Sequence, residues 1–119
     1  MADSHLLPKT GYGELLLLIL GRRKRFKITG ISMLPSLRPG DEILIDPYIY
    51  RQQLPQIGDI VVTTHPHQKQ LPIVKRIKAI NSDGSYFLTG DNSTASTDSR
   101  NWGTIELPDI IGKVTSLFA

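Results

Sequence analysis

Apolar residues in this chain come in short runs, and turn signals separate them. Ile43-Leu44-Ile45 follows Pro39-Gly40-Asp41, Ile60-Val61-Val62 follows Gly58-Asp59, and the stretch Leu71–Ile80 ends at Asn81-Ser82-Asp83-Gly84. Such runs suit strands, and the last of these turns has hairpin composition. Strands are predicted over 24–29, 42–46, 59–64, 71–80, 85–89 and 110–118. Short strands separated by turns imply a mostly β domain, a folded-over barrel or sandwich. The 119 residues hold no repeat, linker or low-complexity segment. They fit one domain over residues 11–119 after a flexible tail over residues 1–10.

The exception to the strand pattern is residues 12–20, a predicted short N-terminal helix ended by Gly21. Its run Leu15–Leu20 is six residues long, against the ~20 that a spanning helix needs. It makes a poor signal peptide, because the basic cluster follows the apolar run. The helix is therefore expected to pack on the core, with peripheral membrane contact as the lesser reading. Behind it, Arg22, Arg23, Lys24, Arg25 and Lys27 place five cations in six positions, in a chain of net charge +3. That run reads as a solvated edge, with weak membrane or polyanion contact as the alternative. Cysteine is absent, which excludes disulfides, thiolate catalysis and cysteine zinc sites. A reducing compartment suits such a chain, and the expected location is cytoplasmic.

Three places could carry chemistry. Alternation along 71–80 puts Ile73, Lys75, Ile77 and Ala79 on one face and Val74, Arg76, Lys78 and Ile80 on the other, more polar one. Lys75 thus falls in an apolar row. A free lysine titrates near ~10.4 and must fall to roughly 7–8 to act as a base, which desolvation can achieve. The alternative is a lysine whose stem lies on apolar surface while its head reaches water. Ser32 sits in Gly30-Ile31-Ser32-Met33-Leu34-Pro35, just after a predicted strand. A turn there can expose a hydroxyl nucleophile and its backbone N–H, or simply use serine as a turn residue. In the ordered polar loop 90–103, Asp98 and Arg100 could form a bracing pair, and Ser96 could offer its hydroxyl to an amine.

The order of these blocks resembles the signal peptidase I family of serine proteases, whose catalytic fold is shared with LexA-like self-cleaving repressors. Ser32-Met33-Leu34-Pro35-Ser36-Leu37 with Gly40-Asp41 looks like the nucleophile box, and Gly58-Asp59-Ile60-Val61-Val62 like the next strand box. Val74-Lys75-Arg76-Ile77 looks like the lysine box, and Gly90-Asp91-Asn92 with Ser96–Gly103 like the final box. The resemblance implies a minimal catalytic core of that fold, with Ser32 as nucleophile and Lys75 as general base. Ser96 would orient the amine, Asp98 and Arg100 would brace the loop, and Asp91 and Asn92 would shape it. Candidate substrate contacts are Ile31, Met33 and Pro35. Some relatives place a serine side chain in the oxyanion hole two residues before the nucleophile. Here that position is Gly30, so the Ser32 backbone N–H would carry more of that work. Neither metal nor cofactor is implied.

Among family members, small anchorless ones most resemble this chain, notably the nickel-type superoxide dismutase maturation proteases. That likeness implies a precursor protein as partner, the nickel superoxide dismutase precursor, trimmed at its N-terminus. Two alternatives stand beside it: a membrane-associated signal peptidase acting on exported preproteins, and a non-catalytic regulatory or polyanion-binding module. His65-Pro66-His67 could offer two metal ligands, but no third lies nearby and His5 is in the tail, so an exposed loop is expected.

Overall fold

The computed structural model describes residues 7–118. One six-stranded sheet forms the body, in the order β1-β2-β6-β3-β4-β5, with every neighbouring pair antiparallel. The strands are β1 (Lys24–Lys27), β2 (Glu42–Asp46), β3 (Ile60–His65), β4 (Gln68–Ile80), β5 (Tyr86–Thr89) and β6 (Ile110–Phe118). They fall where alternation and turn residues place them, and the chain is mostly β as expected. Two short helices are added, α1 (Tyr12–Ile19) and α2 (Ser99–Trp102).

One face of the sheet carries a core fed by most of its strands. Ile28 beyond β1, Ile43 and Ile45 of β2, Val114 of β6, Ile60 and Val62 of β3 and Val74 of β4 pack together. Met33 and Leu37 close that core from the loop after β1. A second core lies on the opposite face of the β3–β4–β5 part, where Val61, Ile77, Tyr86, Leu88 and Ile105 pack under Tyr50, Trp102 and Leu107. The middle of the sheet is thus buried on both faces. For this reason the second row of β4 is less polar than alternation suggested: Val74 belongs to the first core, and Arg76 is half-buried. A bulge between Ile77 and Ala79 then resets the pleat.

Three expectations are corrected. Residues 7–10 are not a loose tail. The Pro8 carbonyl accepts the Leu117 N–H and the Thr10 N–H donates to the Leu117 carbonyl, both at 2.8 Å, so the segment runs beside β6. Residues 1–6, including His5, lie outside the described residues. The helix α1 does not pack its apolar face on the core, for none of its residues is buried. Its inward side, Glu14, Leu17 and Leu18, is only half-buried, and there Glu14 accepts hydrogen bonds from Arg23 and from the Thr115 hydroxyl. Loop 90–103 contains α2, started by Asp98 as N-cap, with Asn101 returning the bond to the Asp98 N–H. Asp-x-x-Asn is a variant of the capping box, so the signal was there to be read.

The basic run is also less free than its sequence suggests. Arg23 pairs with Glu14 at 3.1 Å and Asp46 at 3.2 Å, and Arg25 pairs with Glu42 at 2.7 Å. Among the described residues, no helix is long and apolar enough to cross a membrane.

Candidate active site

The loop after β1 builds the first half of the site. Its ends are pinned where the Ile28 N–H donates to the Asp41 carbonyl at 2.7 Å and the Gly40 N–H donates to the Ile28 carbonyl at 2.9 Å. Gly30 turns the chain with φ of 77°, a left-handed conformation that glycine adopts without steric cost. Tight turns follow, with the Leu34 N–H on the Ile31 carbonyl and the Leu37 N–H on the Met33 carbonyl. Met33 and Leu37 anchor the loop in the first core, which leaves Ser32 half-buried at its rim.

Strand β4 supplies the second half. Lys75 pairs across the sheet with Val61 and shares its face with Ile77, as alternation requires. Only 4% of Lys75 is exposed. Its Nζ donates to Ser96 Oγ at 3.3 Å, and Ser96 Oγ donates in turn to Asp98 Oδ2 at 2.8 Å. The hydroxyl proton of Ser96 is committed to the carboxylate, so toward Lys75 the hydroxyl can only accept. This fixes one amine N–H and with it the setting of the nitrogen. Ser32 and Lys75 line the same cleft of ≈ 190 Å³, between Phe26, Ile28 and Thr29 on one side and Leu71–Val74 on the other.

Asp98 holds the arrangement from behind. It is fully buried and accepts from the Gly90 N–H at 2.9 Å, from the Arg100 N–H at 3.1 Å, and from Arg100 Nε and Nη2 at 2.9 Å each. Burial opposes its ionisation, but the bonds from Arg100, Gly90 and Ser96 outweigh it and hold the carboxyl well below the usual range. Lys75 is shifted the other way for a base. Burial pushes its ammonium below the ordinary lysine range; Asp98 pulls it back up, and Arg100 acts with the burial.

A clasp joins the two halves. Asn92 donates its N–H to the Ser32 carbonyl at 2.8 Å and its Nδ2 to the Ile31 carbonyl at 3.1 Å. Asp91 accepts from Ser36 Oγ at 2.6 Å and from Arg76 Nε and Nη2 at 2.9 and 2.8 Å. Arg76 Nη1 also donates to the Gly58 carbonyl at 2.9 Å. Asp91 and Asn92 thus do more than shape their own loop. Ser36 and Arg76 were missed as site residues, since only the folded chain shows that both reach Asp91. Gly90 carries a packing constraint beyond its place in the motif. A Cβ there would fall on Ser96 Oγ and 2.5 Å from the Ser32 carbonyl oxygen. Of the candidate substrate contacts, Met33 lines the cleft, while Ile31 and Pro35 lie exposed on the loop and outside that lining.

One edge of the cleft is open main chain. The Ile77 N–H donates to the Asp59 carbonyl and its carbonyl accepts the Gly58 N–H, so Ile77 turns its peptide groups toward β3. Alternation then turns those of Arg76, Val74 and Pro72 the other way. Strand β5 covers only Arg76–Ile80. The Val74 N–H and carbonyl and the Pro72 carbonyl are therefore left facing the cleft. A proline is tolerated at such an edge, where no ladder bond is lost.

His65 and His67 lie at the β3–β4 turn, where the His67 N–H donates to His65 Nδ1 at 3.0 Å. Among the described residues no group of three or more metal-ligating side chains gathers.

A serine and a buried lysine thus line one cleft, with an open strand edge beside them. The chain matches the signal peptidase family, peptidase S26, over residues 13–84 and 81–119, and it belongs to that family. It is 31% identical over 107 residues to the mitochondrial ATP-independent inner membrane protease subunit 1b of Arabidopsis thaliana, covering 71% of this chain and 63% of the relative. It is 27% identical over 124 residues to a probable signal peptidase I-1 of Synechocystis, covering 68% and 63%. To signal peptidase I V of Bacillus subtilis it is 23% identical over 138 residues, covering 76% and 82%. The chain therefore spans less than two thirds of the first two of these relatives.

Proposed function

We propose that this chain is an endopeptidase with a Ser32–Lys75 dyad that removes an N-terminal segment from a precursor protein. The observation that carries this is the buried chain Lys75–Ser96–Asp98–Arg100 opening on the cleft that Ser32 lines. Neutral Lys75 takes the proton of Ser32 Oγ as the oxygen attacks the substrate carbonyl. The Ser32 N–H is the proposed donor to the oxyanion. Lys75 then protonates the leaving amine, and later takes a proton from the water that attacks the acyl-enzyme. The substrate adds as a strand along Val74 and Pro72, where main-chain bonds give affinity and the cleft gives side-chain selection.

Only the neutral amine works as a base, so activity is expected to rise with pH through the folded pKa of Lys75. Because burial lowers that pKa, the rise should come below the ordinary lysine range of ~10.4. A kcat/KM profile flat from pH 5 to 10 would remove lysine from the role of base.

The proposed substrate is a nickel superoxide dismutase precursor, which the compact final box of this chain supports. A second reading, a signal peptidase acting on exported preproteins, fits the named relatives equally well. Mixing the chain with each precursor and reading new amino termini by mass spectrometry separates them. Cleavage of the dismutase precursor at one bond, and its loss in Ser32→Ala, is the expected result. Cleavage of the exported preprotein alone would move the assignment to the second reading. Cleavage of neither would leave the regulatory or polyanion-binding module. That module is the weaker reading, because Arg23 and Arg25 already spend their charge on acids within the fold.

A further inference from the structure

A second pocket, of ≈ 410 Å³, opens beside the last polar loop and shares no lining residue with the cleft of Ser32 and Lys75. Lys78 of β4, Thr89 of β5, Ser93 of the loop and Arg100 of α2 line it, together with Arg76 and Asp91. Donors gather here, and several have nothing in the fold to bond. The side chains of Lys78, Thr89 and Ser93 make no hydrogen bond or ion pair among the described residues. Arg100 spends Nε and Nη2 on Asp98, which leaves Nη1 without an acceptor among those residues. The carboxylate in the lining, Asp91, already accepts from Arg76 Nε and Nη2 and from Ser36 Oγ. Asp98 is fully buried and lies outside the lining. With Arg76 set against Asp91 and Arg100 against Asp98, the cation in excess is Lys78.

The donor set names the ligand. A carboxylate presents its oxygens in one plane, whereas these donors stand on four separate pieces of chain around the pocket. A phosphoryl group presents its acceptor oxygens in several directions and carries more negative charge. We propose that this pocket binds a phosphate-type oxyanion, held by Lys78, Thr89, Ser93 and Nη1 of Arg100. The site shares Arg100 with the proposed peptidase centre, so an anion there acts on the dyad without entering the cleft. Burial lowers the Lys75 pKa, Asp98 raises it, and Arg100 lowers it again. An anion on Nη1 offsets the positive charge of Arg100, which favours protonated Lys75 and leaves less neutral base. The bound anion therefore inhibits, and its effect fades in alkaline solution. That consequence rests on the peptidase reading, whereas anion binding itself does not.

The test reads the thermal midpoint of the full chain against inorganic phosphate, with chloride and acetate at matched ionic strength. Expected is a saturable rise in phosphate alone. In Lys78→Gln/Ser93→Ala the affinity for phosphate should fall about tenfold or more. Both side chains are exposed, so without phosphate the variant should keep the parent's midpoint and activity. An equal rise in chloride or acetate would overturn the proposal, as would an equal response to phosphate by the variant. Phenyl phosphate tells two sources apart, because Phe87 also lines the pocket and offers its ring an apolar neighbour. Tighter binding than inorganic phosphate assigns the site to a phosphoryl group on a larger molecule, and equal or weaker binding assigns it to the free anion. Coupling to the dyad is read separately. With phosphate bound, the parent's kcat/KM profile should move to higher pH, and the variant's should stay in place. Binding with an unmoved profile would remove the coupling to Lys75. A chain that binds phosphate but cuts no precursor would sink the peptidase reading and leave the anion site standing.

Discussion

Lys75→Met is expected to lose peptide hydrolysis by on the order of 10⁴-fold or more, and at the same time to raise the temperature of unfolding. Lys75 is only 4% exposed, on the face it shares with Ile77, and burial lowers its pKa. The folded state therefore holds its proton less firmly than the unfolded chain does. Stability associated with Lys75 is fully present above the unfolded lysine pKa and is lost as pH falls through the lowered folded value. Methionine has similar length and no charge to desolvate, and Ser96 keeps its bond to Asp98 in the variant. The expected stabilisation is thus largest at low pH and vanishes in strongly alkaline solution. Thermal melts across pH, beside a peptide assay that includes Ser32→Ala, check both halves. A variant that keeps activity removes Lys75 from the mechanism. One that melts lower at every pH shows that the amine supports the fold rather than straining it.

Gly90→Ala is expected to damage the site without altering either member of the proposed Ser32–Lys75 dyad. The added methyl would meet Ser96 Oγ and the Ser32 carbonyl oxygen. These belong to the two halves that Asn92 draws together. Backbone and a hydrogen-bonded hydroxyl give way less readily than the end of a flexible side chain. Overpacking of this kind costs about 1–3 kcal/mol, and a displacement near 1 Å at a catalytic group can cost about 10²-fold in rate. Activity assays and melts on the variant should show both losses. Parental kcat would mean that the contact between loop and nucleophile turn is slack.

How much of this was legible beforehand differs by element. The strands were, because each short apolar run is bounded by Gly, Pro or Asn-Asp signals that leave helix no room. The face of Lys75 was too, since a pleat alternates whatever surrounds it. The burial of Val74 was not. Alternation says which residues share a face but not that both faces of β4 are covered, and the first core that covers Val74 is assembled from β2, β3, β6 and the loop carrying Met33 and Leu37. Helix α1 was legible in extent, but its expected packing on the core was not met, for none of its residues is buried. A run of leucines carries no sign saying which side turns inward; here Leu17 and Leu18 do so, half-buried beside the hydrogen-bonded Glu14. Arg76 and Ser36 escaped notice as site residues for a related reason, as each looks ordinary until Asp91 stands between them.

The clasp between the Ser32 turn and the last polar loop joins parts of the chain that are synthesised at different times. Ser36 finds its partner 55 positions later, and the Ile31 carbonyl finds Asn92 61 positions later. A ribosome delivers the serine well before it delivers the loop that grips it and sets its base. Until then the nascent chain carries an ordinary alcohol and an ordinary, protonated lysine. On the proposed mechanism, hydrolytic power would arrive only with the finished topology. For the proposed dyad, the order of residues along the chain serves as a safety catch.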